Sequence, residues 1–340
     1  MRMLESLENR TVLPLVGTSY EPGFVEMAIQ KMEDVELAEI ARAEKYFFSA
    51  NAEECVKIVE KYLSSEDIML RLSADMLYVF SNLTLGNEAA VKLARSDVDM
   101  CVKKAFDADM SNEVKASSIF ASYVTSILLH IPPRKDIPSL QNYMHYLPRG
   151  QRLFAISLLA HAMYLNGEYE KAEGAINGAK LLADQIYPIS LIYLNCVTAM
   201  CQINQKKQDE AIETISRTWE MARKDKFLEP FIEYHGLLQG ILEVCIRKNE
   251  PEIYDKLVEG VIAFSRGWMK IHNPQMQNRV TDLLTPLEYS IAMLACRDWT
   301  NQEIGSYMGM SVNTIKHHVS NILEKLNIEK RSQIKDFVNQ

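Results

Sequence analysis

The sequence predicts an all-α protein, and three observations carry that prediction. Its 340 residues include only 13 Gly and 11 Pro, too few for the closely spaced turns of a strand-rich fold. Apolar residues recur at helical spacing, as in Tyr169, Ala172, Ile176 and Ala179. Several segments also repeat one pattern: a helix, a short polar turn, and a second helix that opens with acidic residues. Hydrophobic residues at 48% and charged residues at 24% are ordinary for a folded chain. The length suits two parts, a long helical array and a smaller compact unit.

The repeated pattern first appears at Ala52-Glu53-Glu54-Cys55 and returns at Gly86-Asn87-Glu88-Ala89-Ala90. Pro132, Pro133, Pro138 and Pro148 then end one helix and isolate a short one around Ser139 to Tyr146. The clearest copy spans Leu159 to Ala179, with Ala160 and Ala162 on its first helix and Asn166-Gly167-Glu168 as its turn. Looser copies follow at Asp209-Glu210-Ala211-Ile212 and Asn249-Glu250-Pro251-Glu252-Ile253-Tyr254. The steps are 35 residues from Cys55 to Ala90 and 39 from Ala172 to Ala211.

These copies resemble the tetratricopeptide repeat, in which small residues let paired helices approach and an aromatic ring fills the gap between them. The resemblance implies an irregular superhelical array over residues 1–272, with a concave wall suited to a peptide, a partner helix or a small-molecule ligand. Tyr123, His161, Tyr164 and Tyr193, all on predicted first helices, are the candidate ligand or partner residues. Packing within the stack is the plainer expectation for each.

Several function classes lack their signatures. The chain has no Gly-Lys-Ser/Thr element to cradle a nucleotide phosphate and no alternation of strands and helices to carry a phosphoacceptor aspartate. The seven histidines are dispersed, and the six cysteines lack zinc or redox spacing. No enzyme, cofactor or metal is therefore expected. The N-terminal residues lack a secretory layout and no apolar stretch reaches the length of a membrane span, so a cytoplasmic protein without membrane contact is expected. The net charge is −8. Yet residues 311–340 hold five basic side chains against three acidic ones, a mildly basic end to an acidic chain.

That end has its own order. A polar segment, Asn273-Pro274-Gln275-Met276-Gln277-Asn278, reads as a linker spanning 273–283. Beyond it, Leu284, Leu287, Ile291 and Leu294 recur at helical spacing, with Thr285 suited to cap and Pro286 to the first turn. A second short helix should start near Thr300 and Asn301, with Ile304 and Met308 inward and Gly305 allowing close approach. Gly309 supplies a sharp turn. Ser311 then caps a third helix whose apolar stripe is Ile315, Val319, Ile322 and Leu326. This is helix-turn-helix geometry, in which one helix braces another against the DNA major groove. At about 100° per residue, Asn313, Lys316, His317 and Ser320 project opposite the stripe.

Leu284-Thr285-Pro286-Leu287-Glu288, Asn301-Gln302-Glu303-Ile304-Gly305, Ser311 through His318, Lys325-Leu326 and Arg331 resemble the LuxR-type (GerE/FixJ-like) regulators in uninterrupted register over about fifty residues. The resemblance implies a four-helix DNA-binding domain over 284–340 that inserts its third helix into the major groove of double-stranded DNA. It puts Lys316, His317 and Ser320 at base-facing positions, and Asn313, Thr314 and Arg331 at phosphates. One small reader with few basic contacts should bind DNA weakly, so a homodimer joined through a fourth helix around Arg331 to Val338 is expected, with RNA polymerase as a further partner and with control through the array, given its size and repeat pattern. Leu287 and Asp298 depart from the family pattern, which commonly has a basic residue and a glycine there. A competing expectation is a helical-repeat interaction scaffold whose C-terminal domain docks or dimerises without binding an operator.

Overall fold

The computed structural model describes residues 10–272 and 284–335. The expected linker at 273–283 and the end of the expected fourth helix lie outside the described residues. Among the described residues every regular element is helical, as the composition predicts.

A short turn α1 (Pro14–Gly17) and helix α2 (Val25–Gln30) lead into a series of helix pairs. The pairs are α3 (Val35–Phe48) with α4 (Ala52–Val59), α5 (Ile68–Thr84) with α6 (Glu88–Asp107), and α7 (Asn112–Ile127) with the short α8 (Leu140–Tyr143). They continue with α9 (Arg149–Leu165) and α10 (Tyr169–Leu181), α11 (Pro188–Asn204) and α12 (Gln208–Ala222), then α13 (Glu229–Leu238) and α14 (Pro251–His272). Each predicted copy falls on one of these pairs, and the proline-rich stretch isolates α8 as expected.

From α5 onward the first helices are buried over most of their residues, and the second helices on one stripe. In α11 nearly every residue from Pro188 to Ile203 is buried, whereas in α10 only Ala172, Ile176 and Ala179 are. This follows from their composition: α11 is apolar all round and α10 alternates Glu, Lys and Gly with small residues.

One termination device recurs. At the ends of α3, α5, α7, α9 and α11 the residues Ala50, Gly86, His130, Gly167 and Lys206 adopt positive φ. The next residue's N–H reaches five residues back, as in Asn51 to Tyr46, Ile131 to Ser126 and Lys207 to Gln202. This Schellman closure satisfies the last carbonyls and turns the chain into the second helix of the pair. Gly86 and Gly167 reach that backbone region freely. Ala50, His130 and Lys206 do so at a cost of about 1 kcal/mol each.

The pairs do not form an open array. The first helices pack in sequence, α3 on α5, α5 on α7, and onward to α13, which returns to α3. The Leu228 N–H donates to the Phe48 carbonyl at 2.7 Å across this closure. Buried rings fill the interior: Phe154 and Tyr193 lie 4.7 Å apart, Tyr193 and Tyr234 5.7 Å, and His161 and Tyr234 5.2 Å between centroids. At one end Val12 to Val16 plug the ring, with the N–H groups of Leu15 and Val16 donating to the buried Glu44 carboxylate at 2.8 and 3.0 Å. α14 crosses the other side against α5, so closely that a side chain at Gly267 would collide with the Leu83 carbonyl.

An open concave wall was the expectation from the repeats, and closure of the ring corrects it. His161, Tyr164 and Tyr193 are buried, and Tyr123 is partly buried against the core. Tyr193 donates to Glu233 at 2.5 Å, and the Tyr234 hydroxyl lies 3.3 Å from Nδ1 of His161. Burial, reinforced by neighbouring His130, holds the His161 imidazole neutral. Among the described residues Asp75, Asp97 and Cys101 lie close enough to share a metal ion, but the Arg71 guanidinium already clasps Asp97 with two nitrogens.

Candidate nucleic-acid interface

The C-terminal unit, here the reader, is built from α15 (Pro286–Cys296), α16 (Asn301–Met308) and α17 (Val312–Lys325), followed by a 3₁₀ turn, Arg331–Gln333, and by Ile334 and Lys335 in helical conformation at the end of the described residues. Both α15 and α16 open with a capping box. Thr285 Oγ1 accepts from the Glu288 N–H while Glu288 accepts from the Thr285 N–H, and Thr300 and Glu303 do the same. Gly309, at φ 64°, ends α16, and the Met310 N–H returns to the Gly305 carbonyl at 2.8 Å. A side chain at Gly305 would press on the Met310 carbonyl at 2.8 Å, so the close approach expected there is present.

Ser311 caps α17 by accepting from the Thr314 N–H at 3.0 Å. Ile315, Val319, Ile322 and Leu326 form the buried stripe expected of it. The position of α17 is further fixed at its far end, where Lys325 Nζ sits 2.7 Å from Glu288. Burial would raise the Glu288 carboxyl, but Lys325 and the Thr285 N–H outweigh it and hold it below the ordinary range.

With the stripe fixed inward, Asn313, Thr314, Lys316, His317 and Ser320 are all exposed on one face. Val312, at the leading end of the helix, is an apolar side chain left 37% exposed. By helical spacing Val312 continues the line of the stripe, and it is uncovered because it lies at the first position of the helix.

Arg331 has a different setting from the phosphate-facing role implied for it. Its guanidinium donates to Asn301 Oδ1 and to the Trp299 carbonyl, tying the chain after α17 to the start of α16. Burial lowers its pKa. Lys335 pairs with Asp298 at 3.0 Å and Lys325 with Glu288, so three of the five basic side chains near this end are committed within the reader. Asp298 has φ 63°, the left-handed conformation that glycine adopts without a steric cost.

The reader docks on the array. The Tyr164 hydroxyl accepts from Arg297 and from Asn204, each at 3.0 Å, and Lys206 Nζ lies 3.0 Å from Glu303. Backbone donation from Thr300, with Lys206 second, lowers the Glu303 carboxyl to about 2. At the centre, Ser290 donates to the buried Glu243 at 3.2 Å, with His235 Nε2 3.3 Å from the same oxygen. Burial would raise Glu243; His235 and the hydrogen bonds outweigh it and hold it low. Gly240, at φ 86°, leaves room for Met308, whose methyl would lie 2.9 Å from an added Cβ. No periodicity in the sequence marked this contact, because its residues come from α9, α11, α13 and the following π-helical turn Glu243–Arg247, each contributing one or two.

This docked arrangement leaves the α17 face outward, and comparison with known proteins agrees with the local geometry. Residues 282–338 match the family described as bacterial regulatory proteins, luxR family. The chain thus carries a luxR-type helix-turn-helix domain at this end. It is 38% identical over 113 residues to the response regulator protein VraR of Staphylococcus aureus (strain NCTC 8325 / PS 47). It is 31% identical over 113 residues to the protein of that name from Staphylococcus epidermidis (strain ATCC 12228 / FDA PCI 1200). In both cases the similarity covers 32% of this chain and 54% of the relative, so the chain spans about half the length of the curated relatives it matches. No solved structure matches it. Among the described residues no helix is long and apolar enough to cross a membrane.

Proposed function

We propose that this chain is a sequence-specific DNA-binding transcription regulator of the bacterial cytoplasm. The observation that carries the reading is an outward polar face on α17, held by a buried stripe, within a domain matched to the luxR family. In this reading α17 enters the major groove, Lys316, His317 and Ser320 meet base edges, and Asn313 and Thr314 meet the flanking phosphates. Arg331 contributes by bracing α16 against the chain after α17 rather than by reaching phosphate. The response-regulator relatives support a regulatory role.

With few free cations, one reader binds weakly, so the DNA-bound form is a homodimer on a pseudo-palindrome with half-sites about one helical turn apart. RNA polymerase is the partner that such a regulator addresses. The array is its control element. Because the ring interior is filled, a peptide or small-molecule ligand acts at the outer surface or at the junction with the reader.

The committed state of Lys325, Arg331 and Lys335 favours a second reading, a scaffold whose C-terminal domain docks without operator binding. Genome-wide capture of DNA by the purified full chain separates the two. Discrete enriched sites support the regulator; uniform background supports the scaffold. On an enriched site, the Lys316→Ala, His317→Ala double variant should keep its fold and lose sequence preference, at roughly 1 to 3 kcal/mol per base contact. Unchanged affinity and preference would sink the readout proposed for α17.

A further inference from the structure

A cleft of about 350 Å³ opens where the array meets the reader. Glu243, Arg247 and Lys248 line it from the array, and Leu287, Met308, Gly309 and Met310 from the reader. Gly309 and Met310 form the turn that leads directly into Ser311 and α17. Two exposed cations of the array therefore stand beside the leading end of the recognition helix.

Their side chains are available. Arg247 rests over the Tyr254 ring at 6.0 Å, which orients the guanidinium without neutralising it. Among the described residues neither Arg247 nor Lys248 has an ion-pair partner. Of the nearby acids, Glu243 is buried and engaged with His235 and Ser290, and Glu250 accepts from Trp219 Nε1 at 2.7 Å. Glu252 and Asp255 are exposed on the first turns of α14 and are the opposing charges.

We infer that Arg247 and Lys248 are phosphate contacts of the DNA complex, so that the array completes the DNA-binding surface which the reader begins. This rests on the regulator reading above. Its physical basis is positional. A recognition helix enters the groove by its N-terminal end, which brings the preceding turn to the groove's edge and the duplex backbone with it. Cations placed beside that turn meet phosphate, a contact that positions the protein without reading sequence. It also supplies the charge that the reader lacks, since Lys325, Arg331 and Lys335 are spent within it. The docked state is then the binding state, and separation of reader from array removes two contacts at once.

The test uses the full chain on a captured duplex, comparing the parent with Lys248→Gln and with the Arg247→Gln, Lys248→Gln double variant. Lys248→Gln guards against loss of packing on Tyr254. Each lost phosphate contact should lower the slope of log affinity against log salt by about 0.9. For the double variant, which removes two contacts from each protomer of the dimer, the fold-loss of affinity between 50 and 200 mM salt should be roughly a hundredfold smaller than the parent's. Matched and mismatched duplexes should weaken by the same factor. An unchanged slope and affinity, with the parent binding normally, overturns this inference alone. Tighter binding by the variants overturns it too, assigning the local field to Glu252 and Asp255. A parent that binds no duplex above background overturns the regulator reading and this inference with it.

Discussion

Tyr164→Phe tests whether docking of the reader is a designed contact. The substitution removes one oxygen, which accepts from Arg297 and Asn204 at 3.0 Å each. A hydrogen bond to a charged donor contributes about 1.5 to 3 kcal/mol. Arg297 is partly exposed and recovers some solvation, although its second terminal nitrogen is buried without a partner, which places the loss at about 1 to 2 kcal/mol. The ratio of docked to undocked reader should therefore fall about 5- to 30-fold. Native-state hydrogen exchange reads this locally. Protection should drop at the α15–α16 face and at the C-terminal end of α9, while amides in the middle of α11 keep theirs. In a double-mutant cycle with Arg297→Met the effects should be less than additive, since both changes remove one bond. Unchanged protection at the docking face, or an equal loss through the whole ring, would refute the argument.

Three further outcomes follow from particular side chains. Asp298→Gly should raise the melting temperature of the chain, because glycine relieves about 1 kcal/mol of left-handed strain while the exposed pair with Lys335 contributes less; a lower melting temperature would show that the pair outweighs the strain. Gly267→Ala should destabilise by several kcal/mol in denaturant titration, since α14 and α5 must separate to admit the methyl group, and a wild-type midpoint would mean that the ring closes loosely. Burial raises the Asp75 carboxyl to about 9, with the hydrogen bond that the protonated Asp75 donates to the Asp97 carboxylate as the second cause. The folded state then holds a proton that the unfolded state releases above about pH 4. Stability from this group is present at low pH and declines as pH rises toward 9. Asp75→Asn should flatten that decline in melts from pH 5 to 9; an identical slope in parent and variant would place the proton elsewhere.

The sequence by itself determined every local choice that a few neighbouring residues can make. Thr285 and Thr300 with Glu three residues on, Gly309 at the turn, and the stripe from Ile315 to Leu326 are short-range chemistry, so the reader was legible down to its caps. The same holds for the acidic openings of the second helices and for the prolines around α8. Tertiary structure decided what distant residues do to one another. Ring closure depends on Phe48 meeting Leu228 and Gly267 meeting Leu83, contacts whose partners carry no periodic signal. Closure turned a supposed ligand wall, His161 and Tyr193 included, into a packed interior. It also turned Tyr164 from a candidate ligand residue into the anchor of Arg297. Arg331 shows the limit most plainly: its charge is visible in the sequence, but whether a cation faces phosphate or a carbonyl depends on which backbone lies within reach after folding.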